Sequence, residues 1–332
     1  MRFDRNNPWL VGIIGGIIGA VVGGIIDYYL FEYRERKQSE EVHINLANNA
    51  DMFLEKNMSN DALSIYIELL KIVSNKREAK LYARIKNNEG VCYFNLATIK
   101  NKEENISRAI QAYEEALKIY TVEKYPLDYA MTQNNLGAAY WTLAEVRDKE
   151  ENISKAIQAY EEALKVYTLE KYPLDYAETQ NNLGAAYWTL AEVRNKEENI
   201  SKAIQAYKEA LKIRTVEKYP LGYAETQNNL GLAYRTLAEV RDKEENISRA
   251  IQAYEEALKI RTVEKYPLDY AMTQNNLGAA YNTLAEVRDK EENLAKAIQA
   301  YEEALKIYTV EKYPLYHDLV MSNMKRAKQR IR

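Results

Sequence analysis

The side chains that could do chemistry are mostly amides that recur along the chain in pairs. An amide both donates and accepts hydrogen bonds, so a row of amides can bind the backbone of a peptide without reading its sequence. The pairs are Asn134-Asn135, Asn181-Asn182, Asn228-Asn229 and Asn275-Asn276, and Asn87-Asn88 continues the series. Recurring amides therefore predict a binding surface rather than a reaction centre.

Catalytic chemistry finds little support in the sequence. His43 and His317 are the only histidines, and Cys92 is the only cysteine. No glycine-rich phosphate loop and no metal-ligand spacing occurs. Carboxylates such as Glu114-Glu115 recur in every unit, as expected for a solvated face. We expect no enzymatic activity, no cofactor and no metal site, and we expect Cys92 to be a core residue.

The charge balance excludes a general attraction to nucleic acid. The formal net charge is −3 and the isoelectric point is near 5.8. A protein that binds the phosphate backbone needs clustered lysine and arginine instead. We therefore expect protein or peptide partners and no nucleic acid.

One unit of 47 residues recurs almost unchanged through most of the chain. Its markers are five prolines, Pro126, Pro173, Pro220, Pro267 and Pro314. A fixed period of this size indicates stacked repeats, in which each unit packs only on its neighbours. The length of 332 residues is then one elongated domain rather than two globular ones.

Each unit predicts two helices. The first, helix A, is predicted from about Leu127 to Val146, because a proline suits its first position and apolar residues follow at helical spacing. Helix B is predicted to begin at Asn152, since asparagine is a favoured N-cap. Four Asn-Ile-Ser sequences resemble glycosylation sites, but each falls at this predicted helix start, so we interpret their asparagines as caps. They are Asn105, Asn152, Asn199 and Asn246.

The packing residues of the unit resemble the tetratricopeptide repeat over roughly residues 41 to 332. The matching positions are Leu136, Gly137, Tyr140, Ala156, Tyr160, Ala163 and the closing Pro173. The unit departs from the family in its Gln133, where tryptophan is frequent, and in being longer, as in the kinesin light chain and large prokaryotic arrays. The resemblance implies an all-α, right-handed superhelical solenoid of antiparallel helix pairs, with a concave groove lined by helix A.

The predicted groove is a second stripe along helix A, on the face opposite to the packing residues. When the copies of helix A are compared, few positions differ in residue type, and most of these lie on this stripe, as expected where a ligand binds. The alternative explanation is sequence drift at exposed positions. The predicted peptide-binding residues are Met131, Asn134, Asn135, Ala138, Trp141, Glu178, Asn181, Asn182, Trp188, Glu225, Asn228, Asn229, Leu232, Arg235, Met272, Asn275, Asn276 and Asn282. At least one asparagine of each pair could instead join neighbouring repeats.

Residues 9–31 predict a single transmembrane helix. From Trp9 to Ile26 no residue is charged, and a helix of this length approaches the thickness of a bilayer core. Rows of small residues favour close approach of a second helix, although a monomeric anchor is the alternative. The glycines of these rows are Gly12, Gly15, Gly16, Gly19, Gly23 and Gly24. Basic residues favour a cytoplasmic repeat domain only slightly.

The predicted organisation is a tail at 1–8, the transmembrane helix at 9–31, a charged linker at 32–40, six helix pairs at 41–314 and a capping helix at 315–332. These features predict a membrane-anchored scaffold that binds a peptide or protein partner in its groove and contacts the lipid bilayer through residues 9–31. The alternative is a structural membrane oligomer, assembled as a homo-oligomer through the transmembrane helix.

Overall fold

The structure is a computed structural model, and it describes residues 19–331. Within that range the chain forms 13 helices and no strand. They are α1 (Gly19–Glu55), α2 (Ser59–Ile72), α3 (Ala79–Ala97), α4 (Lys102–Leu117), α5 (Pro126–Ala144), α6 (Lys149–Leu164), α7 (Pro173–Ala191), α8 (Lys196–Leu211), α9 (Pro220–Leu237), α10 (Lys243–Leu258), α11 (Pro267–Leu284), α12 (Lys290–Leu305) and α13 (Pro314–Ile331).

The helices pack as adjacent pairs, which confirms the predicted all-α solenoid. Odd-numbered helices are the A helices and even-numbered helices the B helices. Successive A helices also contact one another, whereas successive B helices do not come within 8 Å between Cα atoms. Because the A helices lie closer together, they line the inner side of the array.

Helix A begins where its proline stands. In α5, Pro126 occupies the first turn, where its missing N–H costs no hydrogen bond. The helix ends at Ala144, two residues before the predicted Val146. The shorter helix leaves room for the turn into helix B.

Helix B does not begin at the predicted asparagine caps. Asp148 precedes α6 with φ 45°, a left-handed conformation that aspartate and asparagine tolerate better than most residues. Asn152 lies inside the first turn and is buried, and its Nδ2 donates to the Arg147 carbonyl at 2.9 Å. The side chain thus ties the helix back to the preceding turn. Four further repeats show the same bond, from Asn105, Asn199, Asn246 and Asn293.

Close approach between the helices of a pair depends on glycine. A Cβ atom added at Gly137 would lie 2.7 Å from Cε1 of Tyr160, which is far below normal contact. Glycine therefore lets the tyrosine ring of helix B lie flat against helix A. Cys92 is fully buried, as predicted, and burial raises the pKa of its thiol to about 12.

The first helix runs without interruption from Gly19 to Glu55. The segment at 32–40, predicted as a linker, is therefore helical and continuous with the first helix pair. Residues 9–18 of the predicted membrane span lie outside the described residues, together with Gly12, Gly15 and Gly16, while Gly19, Gly23 and Gly24 begin α1. Among residues 19–331, no helix is both long and apolar enough to cross a bilayer.

Candidate functional site

The inner face carries a cavity of about 450 Å³ that is lined mainly by α5, α7 and α9, with single residues from α3, α6 and α8. It is lined by eight of the residues that the sequence assigns to the groove. These are Ala138, Trp141, Asn181, Asn182, Trp188, Glu225, Asn229 and Leu232. The structure therefore brings residues from three consecutive repeats to one pocket.

Two tryptophans form the apolar part of the pocket. Trp141 and Trp188 are half-buried and also pack against the hydrophobic core. Each indole Nε1 donates to a threonine of the next repeat, Thr189 and Thr236 respectively, at 3.2 Å. The indoles therefore join neighbouring repeats, and the part of each ring that does not contact the core lines the pocket.

The first asparagine of a pair joins neighbouring repeats. Asn181 is 4% exposed, and its Oδ1 accepts from Thr226 Oγ1 at 3.1 Å and from Asn229 Nδ2 at 3.4 Å. Equivalent bonds reach Asn87, Asn134 and Asn228 from the threonine one repeat further on. A buried amide of this kind is held in place and stabilises the stacking of repeats.

The second asparagine of a pair is half-buried at the groove. Asn135, Asn229 and Asn276 each donate to the first asparagine of the preceding repeat, at 3.3 to 3.4 Å. Asn182 lines the pocket and makes no side-chain hydrogen bond within the described residues. Its amide is thus available to a ligand.

Pocket residues that the sequence reasoning missed come from both helices of the unit. Phe94 lies 47 residues before Trp141 and therefore occupies the equivalent position one repeat earlier, which the 47-residue spacing could have revealed. Tyr160 and Tyr207 belong to helix B, and they reach the pocket because their rings lie flat beneath glycine. No sequence signal on helix B predicts this position. The other missed residues are Thr142, Ala185 and Thr189.

The remaining predicted residues lie outside this pocket. Met131, Glu178 and Met272 are exposed. The side chain of Asn282 already has a hydrogen-bond partner, because Arg330 Nη1 donates to its Oδ1 at 2.8 Å. The full set outside the pocket is Met131, Asn134, Asn135, Glu178, Asn228, Arg235, Met272, Asn275, Asn276 and Asn282.

One carboxylate lines the pocket. Glu225 Oε2 accepts from Nη1 of Arg214 at 3.1 Å, and the same Nη1 atom also donates to Thr226 at 3.1 Å. Arg214 is 8% exposed, so its guanidinium is held beneath the surface. Glu178, one repeat earlier, forms no ion pair with any side chain in the described range. Across that same range, no three histidine, cysteine or acidic residues are grouped as metal ligands.

Comparisons with known proteins identify the repeat. Tetratricopeptide repeat models match residues 91–121, 137–167, 177–215 and 271–307. The chain therefore contains tetratricopeptide repeats, as the resemblance implied. No curated protein matches the sequence.

Solved structures of other proteins share the fold at low sequence identity. The apo form of RapI is 16% identical, with a TM-score of 0.56 over 87% of this chain and 71% of that chain. BtubC (BKLC) from P. vanneervenii is 22% identical, with a TM-score of 0.51 over 76% of this chain and 88% of that chain. The APC/C hetero-tetramer Cut9-Hcn1 is 17% identical, with a TM-score of 0.51 over 86% of this chain and 42% of that chain.

Proposed function

We propose that this array of tetratricopeptide repeats is a scaffold without catalytic activity that binds an extended segment of a partner protein. The observation that carries the proposal is the pocket around Trp141 and Trp188, which is lined by four consecutive A helices, α3, α5, α7 and α9. A right-handed superhelix, as the resemblance implies, would continue this surface into a longer groove.

The spacing of the amides supports an extended ligand. Packed helices lie about 8–10 Å apart, so Asn182 and Asn229 repeat at about that interval. An extended peptide advances about 3.3 Å per residue, so equivalent amides meet every third residue of its backbone. Only Asn182 is free of other bonds among the described side chains, so it is the strongest candidate for backbone contact.

A substitution that fills the pocket tests the proposal without removing an interaction. Ala185 lines the pocket, and the equivalent position in the next repeat is Leu232, so helix A accepts leucine there. We expect Ala185→Leu to weaken binding of random dodecapeptides selected on the full chain by about tenfold, which is about 1.4 kcal/mol, because the leucine side chain takes up space that the peptide needs. Fluorescence anisotropy of the labelled peptides measures the change.

Ala279→Leu is the matched control. It makes the same change at the equivalent position of a later repeat, outside the pocket, and should leave peptide affinity unaltered. Selected peptides that bind Ala185→Leu as tightly as the unmodified chain would contradict the proposal. Circular dichroism of both variants checks that the fold is retained.

We also propose that residues 9–31 attach the scaffold to a membrane, with the repeats on the cytoplasmic side. The proposal is supported by the uncharged sequence from Trp9 to Ile26 and by the unbroken helix that enters the array from Gly19. The full chain should remain with membranes after an alkaline carbonate wash. Release by the wash would contradict membrane attachment.

The alternative proposal is a structural oligomer assembled through the glycine rows. Isoleucine at Gly16 and Gly19 would fill both rows and prevent close helix approach. If the glycine rows assemble the protein, this double variant should lose its crosslinked species in detergent while it stays in the membrane. An unchanged crosslinking pattern would remove the support for this alternative.

A further inference from the structure

We infer that the pocket between the two tryptophans binds a basic side chain, arginine or lysine, of the bound partner segment. The inference rests on the proposed function, because it assigns a side-chain class to the peptide in the groove. It follows from three features of the pocket: the two indoles whose donors are already bound, the two buried tyrosines, and the carboxylates in and beside the pocket.

The indoles offer aromatic faces but no free hydrogen-bond donor. The only donor of each indole, Nε1, is already bound to Thr189 or Thr236 at 3.2 Å. What remains for a ligand is the electron-rich ring surface of Trp141 and Trp188. Such surfaces attract guanidinium and ammonium groups, and tryptophan does so best among the aromatic residues. A carboxylate in the same place would find no donor on either ring.

Two buried tyrosines line the pocket. Tyr160 and Tyr207 are each 3% exposed, both line the cavity, and neither hydroxyl has a hydrogen-bond partner among the described residues. Burial raises the pKa of each phenol, and the negative charges of Glu178 and Glu225 respectively raise it further. Both therefore remain neutral, and each oxygen can accept a hydrogen bond from a cation.

The carboxylates in and beside the pocket give it an excess of negative charge. Glu225 lines it, and Arg214 occupies only its Oε2 atom, so Oε1 stays available. Glu178 stands one turn before Asn182 on α7, is exposed, and has no cationic partner in the described part of the chain. Arg261 also attracts Glu225, but its own ion pair is with Asp269 at 3.8 Å. Two arginines thus oppose three carboxylates, and a cation supplied by the partner would balance the remaining charge of Glu178.

The same chemistry does not continue along the groove. In the next repeats Arg235 and Asn282 replace the tryptophans, and Met272 replaces the glutamate. The indoles and carboxylates coincide only between α5 and α9. A basic residue of the partner would therefore be fixed at one position in the array and would set the register of the bound segment.

The test uses a library of acetylated and amidated nonapeptides with one central residue fixed and the others mixed. Sublibraries fix arginine, lysine, citrulline, norleucine or glutamate, because citrulline and norleucine keep the shape of the basic side chains without their charge. We expect the arginine and lysine sublibraries to bind the full chain about tenfold more tightly than their neutral counterparts, as cation–π and charge pairing predict. Fluorescence anisotropy measures binding.

Two variants and a matched control locate the preference. Glu178→Gln, and Glu178→Gln combined with Glu225→Gln, should progressively reduce the preference for basic residues. Glutamine at 225 can still accept the hydrogen bond from Arg214. Glu170→Gln combined with Glu217→Gln removes the same charge from exposed positions in the loops just before α7 and α9, and should leave the preference intact. Circular dichroism melting compares the stability of all variants.

The outcomes separate this inference from the proposed function. If no sublibrary binds the unmodified chain, both are wrong. If peptides bind and Ala185→Leu weakens them, but neutral or acidic residues bind as well as basic ones, only the basic pocket is wrong. A basic preference that survives in the double glutamate variant would also overturn the assignment of the site.

Discussion

Asn181 and Asn182 are neighbours in α7 but have opposite surroundings. The first is buried and accepts two hydrogen bonds from the next repeat, whereas the second faces the pocket with its amide free among the described side chains. The two positions should therefore respond differently to the same substitution, one in stability and the other in binding.

We expect Asn181→Ala to lower the free energy of unfolding by about 1–3 kcal/mol, because it leaves the Thr226 hydroxyl and the Asn229 amide without their acceptor. Asn182→Ala should change the free energy of unfolding by less than about 0.5 kcal/mol, as surface substitutions usually do. Urea titration followed by circular dichroism measures both.

In a binding measurement we expect the opposite order, with the larger loss of peptide affinity in the variant at 182. Peptides selected on the unmodified chain should lose affinity for Asn182→Ala, because the amide no longer contacts their backbone. A variant at 182 that unfolds as easily as the variant at 181 would show that both asparagines join repeats and that neither is reserved for the ligand.

At the scale of the element, the turn from helix A to helix B is held by a side chain within helix B. Asp148 supplies a left-handed residue, and Asn152 bonds the Arg147 carbonyl across the turn. The bond recurs in five helix pairs, where it ties the start of helix B to the preceding turn.

We expect Asn152→Ala to destabilise the fold by about 1 kcal/mol or more, because the hydrogen bond from its buried amide to the Arg147 carbonyl is lost. Asp148→Gly should be nearly neutral, since glycine adopts a positive φ without strain. Thermal unfolding of the two variants tests this difference. Equal losses would show that the aspartate has a side-chain role of its own.

At the scale of the whole molecule, each repeat packs only on its neighbours, so units should be removable. Deletion of residues 173–219 joins Tyr172 to Pro220 and keeps every remaining helix pair complete. We expect this deletion variant to fold with a lower melting temperature, because an array loses one interface with each unit. It should also lose peptide binding, because Asn182 and Trp188 are gone.

Deletion of residues 267–313 is the control for this variant. It removes one unit outside the pocket, so it should lower the melting temperature similarly while peptide binding persists. Circular dichroism and fluorescence anisotropy report the two properties separately. Loss of peptide binding in both deletions would show that the ligand needs the whole length of the array.

The many buried tyrosines make the array sensitive to alkali. Burial raises the pKa of Tyr113, Tyr160, Tyr207 and Tyr254 above that of a free phenol, and raises the pKa of Tyr301 to about 12. Above a pH of about 10 the unfolded chain releases phenolic protons that the folded chain still holds, so stability falls as the pH rises.

We therefore expect full stability below a pH of about 10 and cooperative unfolding as the pH passes through 12, with tyrosine ionisation and helix loss in the same transition. Each phenol that stays protonated only in the fold adds about 1.4 kcal/mol of destabilisation per pH unit. Absorbance of tyrosinate and circular dichroism follow the two events. Ionisation of all tyrosines well before helix loss would contradict the burial argument.

The sequence by itself determined the array and its repeating elements. The period of 47 residues, the proline at each helix A and the apolar spacing are local patterns, and the structure confirms helix pairs stacked in a solenoid. The positions of helix A that vary between copies led to five residues of the pocket, and the recurring asparagine pairs led to three more, because equivalent positions of a repeat share one face.

Only the tertiary structure decided which side chains join repeats and which face the pocket. Thr226 lies 45 residues from Asn181 but binds its Oδ1 at 3.1 Å, and no pattern within one unit distinguishes Asn181 from Asn182. Tyr160 and Tyr207 reach the pocket from helix B only because glycine lets each ring lie flat against helix A. These assignments depend on contacts between units, and a repeating sequence shows the units without showing how they meet.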